Sequence, residues 1–192
     1  MMRTTQQKKS AIDNLALGKL FARDLVVYAW AAVDGLRIVT IEDLTALQVE
    51  FHTGQSGRRT AAQQLAIAKG FTVEHALKQA ITACHKALET GDMIHILSRK
   101  AKKTPHHTTS KLDHWLVKHK GTMRAVQDID GQILCILEGL KSPASSAYDR
   151  MTLEGVGKSL ESALSDAFRQ LADSERRAKS QAIQVVYTEL GQ

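Results

Sequence analysis

Glycines at positions 70 and 91 bracket the most regular stretch of this sequence. Between them, Ala76, Leu77, Ala80, Ile81, Cys84, Ala87 and Leu88 recur at three- and four-residue steps. That spacing predicts an amphipathic helix, and its apolar stripe must be buried against another element. Thr72 is placed to cap the helix start, and Gly91 to end it. With only two prolines in 192 residues, little elsewhere prevents further helices. Aromatic residues make up 5% of the chain, so the core must rest on Leu, Ile, Val and Ala.

The N-terminal part reads as helical. Ile12, Leu15, Leu20, Leu25, Val26, Ala29, Trp30 and Val33 fall at helical steps, and Asp34-Gly35 supplies a stop. Arg37-Ile38-Val39 is a short apolar run. Thr40 with Asp43 resembles a capping pair that opens a helix through His52. Gly54-Gln-Ser-Gly57 signals a loop, and Thr60 would cap a helix over Ala61–Lys69. After Gly91, Met93–Leu97 alternates as a strand does. Residues 99–111 are polar and basic, as a loop or linker is, and Leu112–His119 predicts a short helix with Trp115 turned inward.

The last third has a different grammar. Met123–Gln127 and Gln132–Leu137 read as strands around Asp128-Ile-Asp130-Gly131, whose Asp-Gly pair is a hairpin signal. A third strand is expected at Tyr148–Leu153. Ser159 would cap a helix carrying Leu160, Ala163, Leu164, Ala167, Phe168 and Leu171, and Ile183–Tyr187 would be a final strand. No internal repeat is evident.

Charge divides the chain unevenly. Residues 1–52 carry six Lys/Arg and six Asp/Glu; residues 53–120 carry twelve against four; residues 121–192 carry eight against ten. The net charge of +6 is therefore a local excess, and a local excess is the better sign of a polyanion-binding face.

The order Leu65-Ala66, Gly70, Thr72, Ala76, Ala80 resembles the helix-turn-helix of winged-helix DNA-binding domains. Gly70 would permit the sharp turn, and the alanines a close helix crossing. The resemblance implies a recognition helix with Lys78 and Gln79 facing the groove and a wing over residues 94–111. It places phosphate contacts at Arg58, Arg59, Arg99, Lys100, Lys102 and Lys103, with duplex DNA favoured and RNA possible. A second likeness lies in residues 122–172. There Gly157-Lys-Ser159-Leu-Glu-Ser-Ala163-Leu is similar to the end of double-stranded-RNA-binding domains. It also resembles HicB-type antitoxins, in which a short sheet carries a Ser/Thr-Leu-Glu-x-Ala-Leu helix. That likeness implies a protein partner for residues 121–192.

Other chemistries find little footing. Gly155-Val-Gly157-Lys158-Ser159 lacks the upstream glycine of a phosphate loop, because Thr152 stands there. His106, His107, His114 and His119 have no second tight ligand pair, so no metal or cofactor is expected. Cys84 and His85 are adjacent on one helix and diverge. No nucleophile elbow or paired-carboxylate motif appears. Cys84 and Cys135 read as free thiols. The longest apolar run, Leu25–Val33, is about half of the ~20 residues a membrane helix needs, and no signal peptide is legible.

The sequence thus predicts an α+β protein of two modules. Residues 1–111 would form a mostly helical domain with a winged helix-turn-helix. Residues 112–192 would form a small antiparallel sheet with one long helix, for dimerisation or partner binding. The expected function is non-enzymatic DNA binding by a cytoplasmic, homodimeric transcription regulator of a bacterium, phage or plasmid. The competing expectation is a protein-binding inhibitor or antitoxin-like adaptor, a phage or plasmid accessory protein acting through its C-terminal module.

Overall fold

The computed structural model describes residues 14–43, 64–96, 110–142 and 149–190, with side chains to residue 176. In chain order the elements are α1 (Asn14–Phe21), β1 (Leu25–Ala31), β2 (Arg37–Asp43), β3 (Gln64–Gly70), α2 (Val73–Thr90), β4 (Ile94–Ile96), α3 (Lys111–Lys118), β5 (Thr122–Gln127), β6 (Ile133–Leu140), β7 (Arg150–Gly157) and α4 (Leu160–Leu190). The strands form one seven-stranded sheet in the order β4-β3-β2-β1-β5-β6-β7. All pairings are antiparallel except β3 with β4.

This overturns the expected fold class. The N-terminal part is not a mostly helical domain, and the C-terminal strands are not a separate small sheet. Leu25–Ala31 is a strand, β1, paired on both sides. Thr40 and Asp43 lie within and at the end of β2 rather than opening a helix. Gln64–Gly70 is strand β3, so no first helix of a helix-turn-helix exists there. The expected strand at Ile183–Tyr187 lies inside α4. The remainders of the helices expected at 40–52 and 61–69 fall outside the described residues.

Other expectations hold. Thr72 caps α2, its hydroxyl accepting from the His75 N–H at 3.2 Å, and Gly91 closes α2 in the left-handed region at φ 77°. Trp115 is buried on α3. Asp128–Gly131 turns the β5–β6 hairpin. The Ser159 hydroxyl accepts from the Ser162 N–H at the start of α4.

The architecture is a repeat. The order helix–strand–strand–strand–helix occurs twice, first as α1 to α2 and again as α3 to α4. The counterparts are visible residue by residue. Asp34-Gly35 and Asp130-Gly131 turn the two hairpins with the same geometry. Ala32 N–H donates to Leu36 O, and Asp128 N–H to Gln132 O, both at 2.8 Å. Gly35 and Gly131 have φ of 79° and 76°. Among the described residues, the two non-glycine residues with positive φ, Asp24 and Lys120, stand at matching places just before β1 and β5. At the end of each unit, Gly70-Phe-Thr72-Val-Glu-His-Ala76-Leu matches Gly157-Lys-Ser159-Leu-Glu-Ser-Ala163-Leu.

The two units meet at β1 and β5 around a local two-fold axis. Tyr28 faces Arg124, its own counterpart. Val27 faces Ala125 and Ala29 faces Met123, so each residue opposes the counterpart of its neighbour's neighbour. The four described helices cover one face of the sheet. Their apolar residues, among them Leu20, Leu77, Leu116 and Leu164, join Val27, Val39, Met123 and Leu137 in one continuous core.

Glycine sets the closeness of that packing. A Cβ on Gly155 would stand 2.0 Å from the Ala163 carbonyl, and one on Gly70 would stand 2.7 Å from the Ala76 nitrogen. Gly70 is therefore needed for close strand–helix approach, not for a turn between helices.

Candidate nucleic-acid interface

The residues expected to touch nucleic acid separate into two groups. Lys78 and Gln79 are described; Arg58, Arg59, Arg99, Lys100, Lys102 and Lys103 lie outside the described residues. Residues 44–63 join β2 to β3, and residues 97–109 join β4 to α3. The start of β3, where the first connection arrives, and Ile96, where the second departs, lie toward opposite ends of β3. The parallel pairing of Ala68 with Ile96 fixes this. The expected wing begins with β4, but β4 is a sheet-edge strand parallel to β3 and not one arm of a hairpin with its neighbour.

On α2, Lys78 and Gln79 both make contacts within their own helix. Lys78 Nζ lies 3.0 Å from Glu74 Oε1, one turn away, so its charge is matched locally. Gln79 Nε2 stands 2.9 Å from His75 Nε2 and is half-buried. The opposite side of α2, through Ala76, Ala80 and Cys84, packs on β2 and β3.

The structure sharpens the charge pattern. The described residues carry seventeen Lys/Arg and eighteen Asp/Glu, so the folded scaffold is close to neutral. The remaining segments carry nine Lys/Arg and two Asp/Glu. Hence the whole positive excess lies in residues 1–13, 44–63 and 97–109.

Sequence reasoning missed two sites on the scaffold. One is a shallow depression of about 440 Å³ on the face of the sheet opposite the described helices, over the local two-fold axis. Tyr28, Trp30, Arg124 and Ile136 line it, with Thr122 and Glu138 at its side. Strand alternation puts these residues on that face, since Val27, Ala29, Met123 and Cys135 point into the core. The signal for it was Tyr28-Ala-Trp30, legible only once Leu25–Ala31 is read as a strand. The other site is a more apolar cleft of about 520 Å³ between α2, α3 and α4, lined by Val73, Leu112, Leu164, Phe168 and Ala172. Lys111, Arg169, Glu74 and Glu161 also border it.

Asp113 is the polar centre of the scaffold. Its Oδ2 accepts from the Ser110 N–H and hydroxyl at 3.1 and 2.7 Å, completing the capping box of α3. Its Oδ1 accepts from the Val73 N–H at the start of α2 at 2.9 Å, and lies 3.1 Å from Arg37 Nε on β2. The carboxylate is fully buried and ties the second unit to the first.

The cysteines are buried, and burial pushes the thiols up, Cys84 to about 11 and Cys135 to about 12. Among the described residues no three His, Cys, Asp or Glu side chains gather as a metal site. His119, one of the clustered histidines, instead places Nδ1 2.7 Å from the Leu140 carbonyl and stacks on Trp115. No described helix is long and apolar enough to cross a membrane. The chain matches no protein-family model, and no curated protein or solved structure is significantly similar to it.

Proposed function

We propose that the chain is a non-enzymatic nucleic-acid-binding protein, in which a neutral two-fold scaffold presents basic connecting segments to the phosphate backbone. The observation that carries this reading is the partition of charge: the described elements sum to near neutrality, and the positive excess is carried by residues 1–13, 44–63 and 97–109. Arg58, Arg59, Arg99, Lys100, Lys102 and Lys103 are the phosphate-contacting residues in this reading. Strand β3 stands where the sequence predicts the first helix of a helix-turn-helix, so the contact in this reading is one of affinity rather than sequence. The Tyr28, Trp30 and Arg124 surface adds planar groups of the kind on which unpaired bases stack.

The test is a titration of labelled duplex DNA, duplex RNA and single strands from low to moderate salt. Counterion release predicts a steep loss of affinity with salt. Changing Lys100, Lys102 and Lys103 together to glutamate is expected to flatten the log–log slope by about 3, at ~0.9 per lost phosphate contact. Wild-type affinity that ignores salt would overturn the reading.

The second reading is a protein-binding adaptor, and the cleft between α2, α3 and α4 favours it. The pattern that resembles HicB-type antitoxins occurs in both units, at Thr72–Leu77 and Ser159–Leu164. A wild-type protein that retains none of the nucleic acids would support this adaptor instead.

A further inference from the structure

The two units differ at their outer edges. In the first, the chain leaves α2 at Gly91 and returns as β4, which pairs in parallel with the outer edge of β3 through Ala66, Ile67 and Ala68. In the second, α4 runs on to Leu190, and no described strand takes the equivalent place. Among the described residues β7 therefore ends the sheet with nothing paired to its outer edge.

The groups on that edge can be named. The Asp149 carbonyl accepts from Lys141 N–H, so the odd-numbered residues of β7 turn their backbone groups toward β6. The even-numbered ones turn theirs outward. Val156 agrees, since its N–H donates not to β6 but to Asp166 Oδ2 on α4, at 3.2 Å. Arg150, Thr152 and Glu154 thus present outward N–H and C=O groups, and their side chains are exposed on the face opposite the described helices. Leu153 and Gly155 point into the core.

We infer that this edge pairs with the same edge of a second copy of the chain, β7 antiparallel to β7, extending the sheet across a two-fold axis. The sequence of the strand selects both the partner and the register. With Thr152 opposite Thr152 of the other copy, each Arg150 stands opposite a Glu154 and each Met151 opposite a Leu153. Opposite charges and paired threonines are stabilising cross-strand neighbours. Shifting the centre by two residues in either direction sets Arg150 against Arg150, or Glu154 against Glu154, and like charges directly opposite are destabilising. The favoured register also stops short of Val156, whose outward N–H Asp166 already occupies. The same device joins the units inside the chain, where β1 and β5 pair about a local two-fold axis. A five-residue ladder is small, so the dimer is weak and concentration-dependent. The pairing does not depend on the proposed nucleic-acid contact.

Sedimentation of the full chain over a concentration series tests it. The wild type is expected to dimerise reversibly. Arg150→Glu and Glu154→Arg each place two like-charged pairs across the axis and should weaken association about tenfold or more. The double exchange Arg150→Glu with Glu154→Arg rebuilds both pairs and should restore it. In the wild type, amide exchange at Thr152 and Glu154 should slow as concentration rises, a readout that needs no variant. A wild type monomeric at every attainable concentration would overturn the inference. So would single variants that dimerise like the wild type, a double exchange that restores nothing, or edge amides indifferent to concentration.

Discussion

At the scale of single residues, Asp113 carries more of the structure than any other polar group described. One buried carboxylate closes the α3 capping box, accepts the first N–H of α2 and faces Arg37 on β2. Removing it strands a guanidinium whose side chain is 8% exposed, with Gly35 O as a hydrogen-bond acceptor at 2.7 Å. Breaking a buried pair from one side costs about 3–5 kcal/mol. Asp113→Ala should therefore lower the denaturation midpoint sharply, while Arg37→Met with Asp113→Ala should recover part of the loss. A loss under about 1 kcal/mol would show that Asp113 is incidental to stability. The thiols make a second residue-scale prediction. Cys84 and Cys135 keep their protons to about pH 11 and 12 when folded, while the unfolded thiols lose theirs near 9. Over that window the unfolded state binds fewer protons, so stability falls as pH rises and is unaffected below it. Chemical denaturation from pH 8 to 11 should show the fall, and replacing both cysteines with alanine should lessen it. Cys84 already stood on an apolar stripe in the sequence, but the role of Asp113 was not legible there. In the sequence Asp113 is one acid beside His114, and the partners that bury it lie 40 and 76 residues upstream at Val73 and Arg37.

At the scale of elements, the two units were unequally legible, and the reason is burial. Strands β5 and β6 alternate between core and open face around an Asp-Gly turn, the pattern that identifies a hairpin. Strand β1 sits at the middle of the sheet, and Leu25-Val-Val-Tyr-Ala-Trp-Ala is apolar on both faces. Without alternation, such a run fits helical steps as well as strand steps. Asp34-Gly35 carries the same turn signal as Asp130-Gly131, yet beside a supposed helix it reads as a stop. The repeat was present in the sequence but not at one period. Gly131 follows Gly35 by 96 residues, whereas Gly157 follows Gly70 by 87, because the stretch from the hairpin turn to the end of the third strand is nine residues longer in the first unit. Gly70 misled for a related reason: a glycine between apolar segments serves a tight turn or a close approach equally well. The close-approach role is testable by comparing Gly155→Ala with Gly70→Ala. Both should destabilise, and Gly155→Ala the more, because its Cβ meets the Ala163 carbonyl at 2.0 Å while that of Gly70 meets the Ala76 nitrogen at 2.7 Å. Equal midpoints for both variants and the wild type would show that the helices shift aside freely.

At the scale of the whole molecule, the two repeats do not behave as beads on a string. They share one apolar core, a β1–β5 ladder at the centre of the sheet and the Asp113 contacts to Val73 and Arg37. Separating them would expose the middle of the sheet on both sides, with two unpaired strand edges and the underside of α3. Two units coupled so extensively should unfold in one cooperative transition. The connection between them, residues 97–109, contributes four of the basic residues assigned to phosphate contact, and the shared core is built by the elements on either side of it. Stability and nucleic-acid affinity should therefore separate under a single cut. A protease site engineered within 97–109 should, once cleaved, leave both pieces co-eluting in native buffer and parting only in denaturant. The same cut should weaken retention on duplex DNA by releasing Arg99, Lys100, Lys102 and Lys103 from a segment anchored at both ends, since ordering a loose segment on binding costs entropy. Two resolved melting transitions would deny the shared core, and unchanged DNA affinity after cleavage would move the phosphate contact to residues 1–13 or 44–63.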